Sequence, residues 1–263
     1  MSQKAILVIS FGTSYAGTRR KTIEAAEQDL ANAFPGYDLK RAFTSHVVIH
    51  TLCERDDLQI DSVAQAAEKL VAEGYTEVLA QPLHILNGME YHQVLMELKP
   101  YAAKFAHLSI GNPLLTDLDD YRLVVDALRP ELPVCNSSEA VVLMGHGSRH
   151  PANAAYCQLD MVLKEEGMPH VHLATVEGYP PLGVVIRRLE AERIQKVTLL
   201  PFMVVAGDHA LNDMAGDGPD SWKSILQNKG YAVDTRLTGL GEIAKIRQIY
   251  VAHARAALEK DQR

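Results

Sequence analysis

Short apolar runs alternate with longer stretches of helical composition along the whole chain, and the alternation starts over halfway. That pattern constrains the fold more than any single motif. Strands separated by helices imply parallel βαβ units with right-handed crossovers. Residues 5–10 are a continuous apolar run, as a strand buried on both faces should be. Further strands are expected at 39–44, 77–83, 108–111, 140–144, 171–176, 197–205 and 231–236. Helices are expected at 18–34, 64–72, 91–105, 117–128, 152–165, 182–192, 222–227 and 243–258. Pro35-Gly36 stops the first of these helices, and Pro100 must kink or split the third. Ser62 with Gln65 reads as a capping box, and Gly74 closes the helix it opens.

The second half repeats the first in two blocks. Ala5-Ile-Leu-Val-Ile-Ser-Phe-Gly-Thr-Ser14 aligns with Ala140-Val-Val-Leu-Met-Gly-His-Gly-Ser-Arg149, so Gly12 falls on Gly147. Gln81-Pro-Leu-His-Ile-Leu-Asn-Gly-Met-Glu90 aligns with Leu200-Pro-Phe-Met-Val-Val-Ala-Gly-Asp-His209, so Pro82 falls on Pro201 and Glu90 on His209. One shorter crossover in the second half accounts for the change of spacing. The segment 130–139 has linker composition. The expected architecture is therefore α/β: two similar parallel-sheet halves, 1–130 and 139–263, with a cleft between them. The last helix is free to pack back on the first half.

Composition removes several classes of function. The 263 residues are 47% apolar and 22% charged, ordinary for a globular protein and enough for a core. A net charge of -7 without any Lys/Arg run argues against nucleic acid. No apolar stretch reaches the roughly 20 residues of a membrane helix. The N-terminal apolar run is too short for a signal h-region, so the protein is expected to be cytoplasmic. Cys53, Cys135 and Cys157 are far apart and form no CxxC, which excludes a thiolate zinc site and a disulfide framework. There is no GxGxxG, GxxxxGK[ST] or GxSxG, so dinucleotide, ATP and serine-hydrolase chemistry are not indicated.

In open parallel sheets, ligands bind beyond the carboxyl ends of the strands. That rule selects Ser10-Phe-Gly-Thr-Ser14, Gly145-His-Gly-Ser-Arg-His150, Asn87-Gly-Met-Glu-Tyr-His92 and Ala206-Gly-Asp-His209. His146 stands between two glycines directly after a strand, which suits a metal ligand or proton acceptor. His209 and Glu90 occupy equivalent places in the two halves and are expected to face the same cleft. Two imidazoles and a carboxylate are a plausible site for a transient first-row divalent metal. Helix N-terminal stabilisation is the plainer account of Glu90, and a salt bridge to Asp208 or Asp213 the plainer account of His209. His84 lies in an apolar run and reads as a satisfied core histidine. His46 and His50 are four apart and share a face if that segment is helical; this spacing can bind a metal, but with no HExxH a solvated pair is favoured. Ser10, Thr13, Ser14, Ser148 and Arg149, helped by Arg19, Arg20 or Arg41, are candidates to hold anionic groups.

These blocks carry a resemblance. Ser10-Phe-Gly-Thr-Ser14, Leu83-His-Ile-Leu-Asn-Gly-Met-Glu90, Met144-Gly-His-Gly147 and Leu200-Pro-Phe-Met-Val-Val-Ala-Gly-Asp-His-Ala-Leu-Asn-Asp-Met214, together with Asp220-Ser-Trp222 and Leu240-Gly-Glu242, resemble the anaerobic cobalt chelatases of the CbiK type. The resemblance runs through essentially the whole chain in the same order. It implies two ferrochelatase-like, Rossmann-like halves and ATP-independent insertion of Co²⁺ into sirohydrochlorin or precorrin-2, in anaerobic cobalamin biosynthesis. It implies His146 and His209 as metal-site histidines and Glu90 as the active-site glutamate. His92 matches the place where some exported relatives hold haem, an unfavoured expectation here. A sirohydrochlorin ferrochelatase, a nickel chelatase or a non-catalytic tetrapyrrole or metal carrier are the alternatives. The helical face around residues 91–98 could pair subunits into a homo-oligomer, although ordinary core packing explains it as well.

Overall fold

The computed structural model describes residues 3–261. The chain divides into two compact units: one runs to Thr116 and resumes at Ala244, and the other is Asp117–Ile243.

The first unit is built on β1 (Lys4–Ser10), β2 (Asp38–Phe43), β3 (Glu77–Pro82) and β4 (His107–Ile110), parallel and in the order β2-β1-β3-β4. Its helices are α1 (Ala16–Lys21), α2 (Ile23–Ala33), α3 (His46–Asp56), α4 (Val63–Ala72) and α5 (Met89–Leu98). Ala5, Leu7 and Ile9 of β1 pack with Val63, Ala67 and Leu70 of α4 and with Val94 and Leu98 of α5. The second unit has α6 (Leu118–Leu128), β5 (Glu139–Gly145), α7 (Ala154–Glu165), β6 (Val171–Thr175), α8 (Leu182–Ala191), β7 (Lys196–Phe202), α9 (Trp222–Asn228) and β8 (Ala232–Thr235). Its parallel order is β6-β5-β7-β8, with Val142 and Met144 packed against Val185, Leu189 and Leu226. α10 (Ala244–Asp261) returns to the first unit, against β3, β4 and α2, where Arg247 Nε meets Asp29 Oδ2 at 2.7 Å.

The two sheets repeat in register as well as in order. Ile9 pairs with Pro82 in the first sheet, and Met144 with Pro201 in the second. The outer end of the same ladder pairs Lys4 with Glu77 in one sheet and Glu139 with Lys196 in the other. Gly12 (φ 94°) and Gly147 (φ 85°) both take the left-handed conformation just beyond the matching strands. A Cβ at Gly12 would lie 2.4 Å from the Phe43 ring, and one at Gly147 would lie 2.5 Å from the Gly178 amide.

Several expectations need adjustment. The break expected at 130–139 falls between Thr116 and Asp117, because α6 packs on α7. The helix expected at 18–34 is two helices. Thr22 turns its hydroxyl back to the Thr18 carbonyl at 2.7 Å, the competition with backbone hydrogen bonding that bends helices. Pro100 converts the end of the third helix to a 3-10 segment, Lys99–Lys104. The face around residues 91–98 buries Tyr91, Val94 and Leu98 in its own unit and leaves Met89 and Met96 outside. The stretch after β7, where no element is expected from the sequence, contains a π-helical turn, His209–Met214.

Candidate active site

In the second unit, β5 ends at Gly145 and delivers His146 to the surface. Gly145 is required there because a Cβ would meet the Tyr156 ring at 2.6 Å. The Tyr156 oxygen accepts the backbone N–H groups of His146 and Gly147, and burial pushes its pKa up to about 12. Tyr156 thus fixes the backbone that carries His146. The imidazole Nδ1–H donates to the Gly147 carbonyl at 3.0 Å, which leaves Nε2 as the ring's acceptor.

His209 opens the π-helical turn after β7, a rare conformation that re-aims side chains and recurs at functional sites. Its Nδ1–H donates to Asp213 Oδ2 at 2.5 Å, and its Nε2 is likewise left as an acceptor. The two imidazoles lie edge to face, with centroids 4.9 Å apart and planes at 78°. The salt bridge and the functional reading of His209 therefore coexist. A carboxylate behind a histidine fixes its tautomer and raises its strength as a ligand. Asp208 takes a different partner, the Asn212 side-chain amide at 2.8 Å. Among the described residues no group of three His, Cys, Asp or Glu gathers for a metal. The His146–His209 pair is a two-ligand arrangement, suited to passing an ion on rather than caging it.

In the first unit, Glu90 sits in the first turn of α5, as helix N-terminal stabilisation would place it. Its Oε2 also accepts the Thr44 hydroxyl at 3.0 Å, from the residue that follows β2. Ser10 is buried, and its hydroxyl has no partner among the described residues. The Thr13 hydroxyl accepts the Tyr15 amide, and the Ser148 hydroxyl accepts the His150 amide, so each retains its own hydrogen to donate. The Ser14 carbonyl takes the Arg55 guanidinium at 2.5 Å, and Arg149 is exposed. Arg41 is committed to Glu27, and Arg19 to Glu24, which removes both from the anion-binding candidates. His92 is exposed on α5 beside Tyr91. His84 is in the core as expected but is not satisfied: neither ring nitrogen has a partner among the described residues, and burial pushes its pKa down to about 4.

Sequence reasoning missed Tyr156, Thr44 and the positioning role of Asp213. Only Asp213 had a readable signal, its four-residue spacing from His209.

The fold, two four-stranded parallel sheets with flanking helices, is that of a metal chelatase. The cobalt chelatase (CbiK) family model matches residues 4–259. The sirohydrochlorin cobaltochelatase of Salmonella typhimurium is 45% identical over 256 residues, covering 97% of each chain. The sirohydrochlorin cobaltochelatase CbiKC of Nitratidesulfovibrio vulgaris is 34% identical over 263 residues, covering 98% of this chain and 92% of that one. The chain belongs to the cobalt chelatase (CbiK) family. Among solved structures, SirB from Bacillus subtilis with Fe³⁺ superposes with a TM-score of 0.68 at 16% identity, covering 99% of this chain and 98% of SirB. CbiX, described as the terminal enzyme for biosynthesis of sirohaem in denitrifying bacteria, gives 0.55 at 17% identity, covering 97% and 99%. These two likenesses concern the fold. No helix among the described residues is long and apolar enough to cross a membrane.

Proposed function

We propose that this chain inserts Co²⁺ into sirohydrochlorin, or its reduced form precorrin-2, without ATP, in the anaerobic route to cobalamin and in the cytoplasm. Family membership supports the reaction. The observation that carries the site is the pair of imidazoles, 4.9 Å apart, each with Nδ1 tied to an oxygen.

Insertion exchanges one divalent ion for two pyrrole protons. His146 and His209 hold the incoming ion through Nε2. As the ion moves to the macrocycle nitrogens, each Nε2 lone pair is released and becomes a base for a departing N–H proton. Imidazole is suited to both roles near neutral pH. Glu90, steadied by Thr44, balances charge and passes protons outward. The hydroxyls of Thr13, Ser14 and Ser148, with the Arg149 guanidinium, bind the substrate carboxylates, whereas the enclosed Ser10 hydroxyl does not reach them. A site that holds the macrocycle slightly distorted would expose its nitrogen lone pairs to the ion.

The test is spectrophotometric: protein, sirohydrochlorin and Co²⁺, anaerobic and without ATP. Multiple turnovers above the spontaneous rate are expected, with Co²⁺ preferred at limiting metal. His146→Ala and His209→Ala should each abolish turnover while leaving the circular dichroism spectrum unchanged. A bound spectrum without turnover would make the chain a carrier. Faster insertion of Fe²⁺ or Ni²⁺ would reassign the metal.

A further inference from the structure

The pair His46 and His50 remains outside the mechanism above. The segment is helical throughout, and both residues are exposed on α3. Residues four apart on a helix have Cβ atoms about 5–6 Å apart on one face, so both imidazoles can turn towards one ion. Neither imidazole takes part in a hydrogen bond or ion pair among the described residues. The next residue along the same ridge is Glu54, also exposed, which adds negative charge one turn on. The cation in this region, Arg55, is already neutralised: it pairs with Asp56 at 2.7 Å and donates to the Ser14 carbonyl. The helix is rooted next to the first unit's carboxylate. Ser45 caps α3, accepting the Val48 amide, and Thr44 just before it donates to Glu90.

We infer that His46 and His50 form a second divalent-cation site, a two-imidazole clamp completed by water. It captures first-row metal ions on the surface of the first unit, beside the segment that holds Glu90. Imidazole ligands suit Co²⁺, Ni²⁺, Cu²⁺ and Zn²⁺ and discriminate against Mg²⁺ and Ca²⁺. Two ligands hold an ion weakly enough to give it up. The site follows from the helix alone; its role in supplying metal rests on the chelatase reading.

Binding and activity are tested separately. Co²⁺ is titrated calorimetrically into the His146→Ala/His209→Ala protein, where one equivalent should remain. Adding His46→Gln/His50→Gln should weaken that equivalent at least tenfold, and Co²⁺ should broaden α3 amide resonances only while the pair is present. Retention of the equivalent in the quadruple variant overturns the site, whether or not the protein proves to be a chelatase. In the otherwise wild-type chain, His46→Gln/His50→Gln should raise KM for Co²⁺ several-fold and leave kcat unchanged. An unchanged KM overturns the supply role, and an equal fall in kcat would make the pair structural.

Discussion

The carboxylate behind His209 gives the most quantitative test of the proposed metal site. An ion on His209 Nε2, at the usual ~2 Å, lies about 6–7 Å from Asp213 Oδ2 on the far side of the ring. A divalent charge and a carboxylate at that separation attract by about 1.3 kcal/mol in water and about 5 kcal/mol at an effective dielectric of 20. The His209 and Asp213 side chains are 36% and 47% exposed, so solvent screening sets the working value near the lower end. About 2 kcal/mol corresponds to a ~30-fold change in affinity, within the range found when such supporting partners are removed. Asp213→Asn keeps an acceptor for Nδ1–H and removes only the charge. Co²⁺ titration of this variant should show a ~30-fold weaker site, with a smaller difference at high salt. Asp213→Ala, which also frees the ring to change tautomer, should lose more. Both residues are near the surface, so the melting temperature should hardly move. An Asp213→Asn protein whose cobalt affinity stays within twofold of wild type would refute the idea that the ion sits on His209 Nε2.

Other outcomes follow from the backbone and the core. Gly147→Ala should cost more than ~1 kcal/mol in denaturant unfolding, and should lower turnover by displacing His146, because the residue has φ 85° and no room for a Cβ. Gly17→Ala, in α1 with open space around it, should be neutral or stabilising in the same assay. His84 is buried neutral, with its pKa lowered from 6.5 to about 4, so the unfolded chain takes up its proton first on acidification. The His84 contribution to stability should therefore fall from about pH 6.5 and level off near pH 4, by ~3 kcal/mol at about 1.36 kcal/mol per unit. His84→Leu should flatten that part of the profile, and an unaltered profile would show that His84 does not titrate there. The absorbance spectrum of the purified protein should lack a Soret band; a band abolished by His92→Ala would instead establish haem binding.

What the sequence disclosed depended on how local the cause was. The central strands β1, β5 and β7 were legible because each is carried by an apolar run buried on both faces, and Ser62 with Gln65 formed the capping box its spacing announced. The duplication was legible because glycines and prolines mark backbone geometry: Gly12 and Gly147 share a left-handed turn, and Pro82 and Pro201 share a register. His146 was legible from the two glycines around it. The π-helical turn at His209 was not, since a single turn has no hydrophobic period of its own. Tyr156 was invisible for a different reason. Its contact is with the backbone ten and nine residues earlier, across the loop and turn that join β5 to α7, and nothing in its helix marks a phenol that accepts two amides. The boundary at Thr116 was misplaced because prolines and serines at 130–139 advertise a linker, whereas tertiary packing of α6 on α7 decides where one unit ends.

A chain containing two sheets of identical strand order risks assembling a strand into the wrong one. The outermost rung of each central ladder opposes that error. Lys4 lies beside Glu77, and Glu139 beside Lys196, with the sign reversed between the halves. If β1 were to pair with β7 in the same register, Lys4 would face Lys196. If β5 were to pair with β3, Glu139 would face Glu77. Like charges on neighbouring strands repel where the native pairs attract. An exchange of strands between the halves is therefore penalised at that rung, which favours the native threading of a duplicated architecture.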